Sequence, residues 1–170
     1  MRLKFYKRIV VVVAITFLSA CGSIFQSSGP GDTNYSRLPD FSTEVSVGTE
    51  DVVEFAKKYI GVPYLWGGNS PSKGFDCSGL VVYVFHQARH KKLPRTSTEM
   101  ARLGKSLGSK TPSPGDLVFF NTLGDDYSHV GIYVGSGKFI SAPSTGGKVR
   151  IDDMRSHYWA SRYTEARRVL

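Results

Sequence analysis

The apolar pattern of this chain changes period near Pro112, and that change limits the folds open to it. Upstream, apolar residues recur at helical spacing. Val52, Phe55, Ala56, Tyr59 and Ile60 predict a first helix, with Thr49 as N-cap, Glu50 and Asp51 in its first turn, and Gly61 and Pro63 ending it. A loop with Gly67, Gly68, Pro71 and Gly74 follows. A second helix is expected from Asp76 to about Arg89, burying Leu80, Val81, Val84, Phe85 and Ala88. Thr96 and Glu99 have capping-box spacing and predict a short third helix to Leu103. Downstream of Pro112, residues 117–121, 129–134, 138–142, 148–152 and 164–170 read as strands separated by turn-forming residues. Helices first and strands afterwards point to an α+β domain with a mainly antiparallel sheet.

A length of 170 residues suits one ordinary domain. Residues 49–170 are expected to form it. Residues 1–20 read as a signal peptide: Arg2, Lys4, Lys7 and Arg8 precede an apolar run from position 9 to 18. As a helix that run would span about 15 Å, roughly half a bilayer core. It ends in Leu18-Ser19-Ala20-Cys21, which resembles the lipobox of bacterial lipoproteins and implies acylation of Cys21 and membrane attachment. An ordinary signal-peptide cysteine is the alternative. Gly22 after the lipobox implies the outer membrane, facing the periplasm, if the host is Gram-negative. Residues 21–48, rich in Ser, Gly, Pro, Asp and Thr, read as a flexible tether. Loss of the four leader cations lowers the formal charge from +8 to +4. No interleaving of basic and aromatic residues suggests nucleic acid.

With Cys21 acylated, Cys77 is the one remaining thiol and has no partner for an internal disulfide. Phe75-Asp76-Cys77-Ser78-Gly79-Leu80 places it in the first turn of a helix. There, free backbone N–H groups and the helix dipole favour a thiolate, with a pKa lowered from about 8.5 to roughly 3.5–7.5. The same N–H groups could stabilise an oxyanion. The plainer alternatives are a small buried cysteine and, for Asp76, a simple N-cap whose charge opposes the thiolate.

Four histidines could serve as base. His86 and His90 lie four apart on the second helix and read as solvent-facing residues, since no third metal ligand accompanies them. His157, beside Tyr158 and Trp159, carries no readable signal alone. His129 opens a strand in which Val130, Ile132 and Val134 share one face and His129 and Gly131 the other. The small glycine leaves room beside the imidazole. A satisfied structural histidine is the alternative.

Pro63-Tyr64-Leu65-Trp66-Gly67-Gly68, Phe75-Asp76-Cys77-Ser78-Gly79-Leu80, Pro94-Arg95, residues 114–120 and His129-Val130-Gly131-Ile132-Tyr133 occur in an order that resembles the NlpC/p60 cell-wall peptidases across about residues 50–170. The resemblance implies a papain-like core with the Cys77 helix packed on the sheet carrying His129. It implies a thiol peptidase acting on peptidoglycan stem peptides, commonly at the γ-D-glutamyl to diamino-acid link, with no metal or organic cofactor. By the same carry-over Cys77 is the nucleophile and His129 the base. Tyr64, Asp76 and Ser78 are assigned to substrate or oxyanion binding. The expected partners are wall peptides and, through Cys21, the membrane, and a monomer is expected.

Relatives usually carry His, Asn or Gln twelve positions after the catalytic histidine, where this chain has Ser141. A three-residue hairpin loop, Gly135-Ser136-Gly137, would pair Val134 with Lys138, Ile132 with Ile140 and Gly131 with Ser141. His129 and Ser141 are then diagonal neighbours with Cα atoms about 7–8 Å apart. A short hydroxyl is expected to need a bridging water or to leave the imidazole weakly oriented. That departure alone favours a catalytically weak, wall-binding or scaffolding lipoprotein. An amidase or acyltransferase on another substrate is a third reading, because such reactions recur on papain-like folds.

Overall fold

A computed structural model describes residues 50–144 and 147–170. The proposed leader, Cys21, the tether and the Thr49 cap lie outside the described residues. Within them, helix α1 (Glu50–Lys57) and helix α2 (Cys77–Arg89) flank a two-stranded ribbon of β1 (Asn69–Ser70) and β2 (Gly74–Phe75). The short helix α3 (Ser97–Met100) leads into β3 (Lys105–Ser106), β4 (Leu117–Phe120), β5 (His129–Gly135), β6 (Lys138–Ser141) and β7 (Arg150–Asp153). The one-turn helix α4 (His157–Ala160) and β8 (Tyr163–Arg168) complete the domain. The six-stranded sheet has the order β3-β8-β4-β5-β6-β7, and every pairing is antiparallel. This is the expected α+β class.

The two periodicities explain the layers. On α2, Leu80, Val81, Val84 and Phe85 are fully buried, while Ala88 is half-buried and His86 and His90 are exposed. They pack on one sheet face with Leu117, Phe119, Val130, Ile132 and Ile140. The alternate residues Val118, Phe120, Tyr133 and Phe139 form a second core on the other face, with Met154, Trp159, Tyr163 and Ala166. Each large apolar side chain in these cores contributes about 1.5–3 kcal/mol by leaving water.

Several expectations are corrected. Helix α1 stops at Lys57, so Tyr59 and Ile60 sit in the turns beyond it, and Ile60 is exposed. The loop after Pro63 contains the β1–β2 ribbon. The Thr96 capping box forms, with both reciprocal bonds, but α3 lasts only to Met100. The β5–β6 connection is a two-residue loop. Gly135 pairs with Lys138, Val134 bulges out, and Ser136 and Gly137 adopt φ of 53° and 70°. Two residues at positive φ match the twist of a hairpin better than a three-residue loop does. Ile132 still faces Ile140, as expected.

Candidate active site

Asp76 organises the start of α2. Its backbone is extended (φ −90°, ψ 176°), and its Oδ1 accepts the Gly79 N–H at 2.7 Å, a true N-cap. Oδ2 accepts the Gly67 N–H at 3.0 Å, tying the preceding loop to the helix. The Arg95 guanidinium then grips both oxygens, Nη1 donating to Oδ1 at 3.0 Å and Nη2 to Oδ2 at 2.6 Å. Nη1 also donates to Ser78 Oγ at 2.8 Å. Asp76 and Ser78 border the cavity, but their side-chain oxygens face Arg95. Gly79 allows the loop to approach: a Cβ there would lie 2.0 Å from the Gly68 carbonyl oxygen.

Cys77 follows in the first turn, half-buried. Its sulfur faces the backbone N–H groups of Val130, Ser78 and Cys77 itself. Contact with Val130 N–H brings the thiol to the start of β5, where His129 sits. The expected acidic thiol is not what these surroundings produce. Burial pushes the Cys77 thiol up, the Val130 N–H pulls it down, and the Asp76 charge pushes it up again. The helix start cannot offset desolvation together with an adjacent carboxylate.

His129 is only 2% exposed. Burial, with a smaller contribution from the positive charge of Arg150, lowers its pKa from 6.5 to about 4. At neutral pH both groups therefore rest uncharged. The ring rests against an aromatic pair, Trp159, stacked at 5.2 Å between centroids and 27° between planes, and Phe120 at 6.2 Å, which themselves meet at 4.8 Å. The room expected beside Gly131 is taken by the Phe139 ring, which a Cβ at that glycine would meet at 2.5 Å.

Ser141 is 1% exposed and sits directly on the imidazole, Nε2 and Oγ being 3.1 Å apart. The water bridge anticipated from strand geometry is thus not needed. The imidazole is itself the long side chain that crosses the diagonal gap, so a short hydroxyl suffices. With Nε2 engaged, Nδ1 is the nitrogen left to exchange a proton. Ser141→Ala should therefore lower kcat about tenfold without abolishing turnover, because loss of an orienting partner leaves reduced rather than zero catalysis. Steady-state kinetics would check this, and an unchanged kcat would show the hydroxyl to be idle.

Cys77 and His129 line one cavity of about 560 Å³ with Tyr64, Asp76, Ser78 and Arg95. Tyr64 is fixed from two sides, its N–H donating to the Gly147 carbonyl at 2.9 Å and its backbone bridging to Phe75. Burial, then the nearby Cys77 and Asp76, raise its phenol pKa. Trp66, 78% exposed, and Leu123, 71% exposed, form an apolar rim from two different loops. In the sequence Arg95 and Trp66 stand out only as members of motifs. Trp159 carries no chemical signal in the sequence; the one cue it offers is that of a large aromatic in a short segment near the end of a β-rich domain, a packing signal. Among the described residues no cluster of three His, Cys, Asp or Glu side chains could hold a metal ion.

A helix-borne thiol meeting a sheet-borne imidazole at one cavity, with a hydroxyl behind the ring, defines a cysteine–histidine site on an α+β scaffold. The chain belongs to the NlpC/P60 family, whose model matches residues 61–168. It is similar to the gamma-DL-glutamyl hydrolase of Bacillus subtilis strain 168, with 42% identity over 154 residues, 84% of this chain and 37% of that protein. It is also 42% identical over 130 residues to the murein DD-endopeptidase MepH of Escherichia coli K12, covering 75% of this chain and 48% of the relative. The chain thus spans less than half the length of either. The crystal structure of an NlpC/P60 family protein from Bacillus cereus superposes with a TM-score of 0.67 at 30% identity, over 74% of this chain and 41% of that one.

Proposed function

We propose that this chain is a cysteine endopeptidase of peptidoglycan stem peptides, exported and held to a membrane by a lipid on Cys21. The observation that carries the reading is the Cys77 sulfur against the Val130 N–H, one residue from an imidazole whose far nitrogen is held by Ser141. As Sγ attacks the scissile carbonyl, its proton passes to Nδ1 of His129. The Cys77 N–H at the helix start, with the Tyr64 hydroxyl nearby, stabilises the oxyanion. The imidazolium then gives that proton to the departing amine, leaving a thioester on Cys77. Water, deprotonated by the same imidazole, hydrolyses the thioester and restores the thiol.

The two curated relatives are named for different bonds, one DL and one DD. We assign this chain to the γ-D-glutamyl to diamino-acid bond, which the resemblance implies. Residues 1–20 are read as its leader, 21–48 as its tether and 49–170 as its peptidase domain. Mass spectrometry of muropeptides after digestion, against a Cys77→Ala blank, tests the activity and the bond. New amino termini on the diamino acid are expected, and intact muropeptides would sink the reading. In cells, incorporation of a palmitate analogue that disappears in Cys21→Ser would support the anchor. The direct 3.1 Å contact of Ser141 with His129 weighs against a catalytically idle scaffold.

A further inference from the structure

The hydroxyl of Ser141 fixes one point of the His129 ring, but one hydrogen bond at Nε2 leaves the plane free to turn about that contact. A flat neighbour is needed to fix the plane, and the Trp159 indole is nearly parallel to the imidazole, 27° between planes at 5.2 Å. The indole is itself immobilised. It is 5% exposed and edge-on to Phe120 at 4.8 Å, Phe139 at 4.9 Å and Tyr158 at 4.9 Å. Helix α4, one turn long, delivers it to this place.

We propose that Trp159 is the positioning residue of the site: its indole face sets the plane of the His129 ring and stabilises the positive charge that ring acquires during attack. The inference rests on the thiol-peptidase reading above. The charges around the ring give it force. Ser141 is neutral and Arg150 opposes a cation, so an imidazolium gains little from either. A π face attracts a cation in a dry environment. Because the resting ring is neutral, that attraction arises only as the proton arrives from Cys77, and so it acts on the transition state rather than on substrate binding.

Tryptophans carrying one to four ring fluorines weaken the face of the indole while nearly conserving its shape. In a Trp66→Phe background Trp159 is the only tryptophan, since the chain has two. Two series are measured on it: kcat and KM on a defined muropeptide, and the His129 pKa by NMR of the imidazole carbons, assigned with His129→Gln. Stepwise fluorination should lower kcat to about one-thirtieth at full substitution, equivalent to about 2 kcal/mol, with KM steady. The His129 pKa should move further down in the same order. Indifference of both readouts to fluorination would overturn the proposal and leave the stack as packing. If the unfluorinated protein leaves muropeptides intact, the peptidase reading fails, and the titration alone still decides whether the indole face acts on the imidazole charge.

Discussion

Replacing Arg95 with methionine should slow stem-peptide hydrolysis about a hundredfold while leaving a folded protein. Arg95 touches no part of the thiol–imidazole pair, but it balances the Asp76 carboxylate through two oxygens at 3.0 and 2.6 Å. Asp76 immediately precedes Cys77 and already works against negative charge on the sulfur. Without the guanidinium, a unit charge roughly 5 Å away in an effective dielectric of about 20 opposes the attacking sulfur and the oxyanion by about 3 kcal/mol, close to two decades in rate. Stability should change less, by about 1–2 kcal/mol, because the Arg95 side chain is 40% exposed. Adding Asp76→Asn to Arg95→Met removes the charge and keeps an N-cap, so the double variant should recover much of the activity. A double variant no faster than the single one would place the loss in the Gly67–Gly68 loop instead of in the charge.

Acid should switch the protein off unusually late. With His129 at about pKa 4 and the thiol raised, the uncharged pair is the competent resting state. kcat/KM should hold level from pH 8 to about pH 5 and then fall tenfold per unit below about pH 4. An acid limb centred near 6.5 would show that the imidazole is not buried as described. The same shift has a consequence for folding. An unfolded histidine titrates near 6.5, so between 6.5 and about 4 the unfolded chain binds more protons than the folded one. Stability therefore falls as pH drops through that window, by about 3 kcal/mol from this group, and below about pH 4 the group adds no further loss. Urea unfolding at pH 7 and pH 4.5 should show that slope in the parent, and His129→Gln should flatten the difference.

The long amphipathic segments were readable because burial imposes their period. Helix α2 and strands β4 to β6 fall within a residue or two of expectation, and so do Cys77 at a helix start and His129 at a strand start. The two-residue strands β1, β2 and β3 and the single turn of α4 were not, since two to four residues cannot display a period. At the site, the sequence supplied residue types and missed surroundings. Nothing in Phe75-Asp76-Cys77 reveals that the sulfur is desolvated, and the pKa follows burial more than helix position. Nothing in the spacing of His129 and Ser141 reveals which side chain spans the gap. Arg95, 19 residues from Asp76, joins it only through the tertiary fold.

Strand order carries a further implication for biogenesis. β8 is the last strand in sequence, yet it lies inside the sheet, between β3 and β4, and Tyr163 at its start closes the aromatic layer behind His129. A polypeptide still lacking that strand has an unpaired β4 edge and a second core without Tyr163 and Ala166. Zipping of the sheet thus waits on β8, so the scaffold under the cavity is the product of a late, long-range closure and not of local folding.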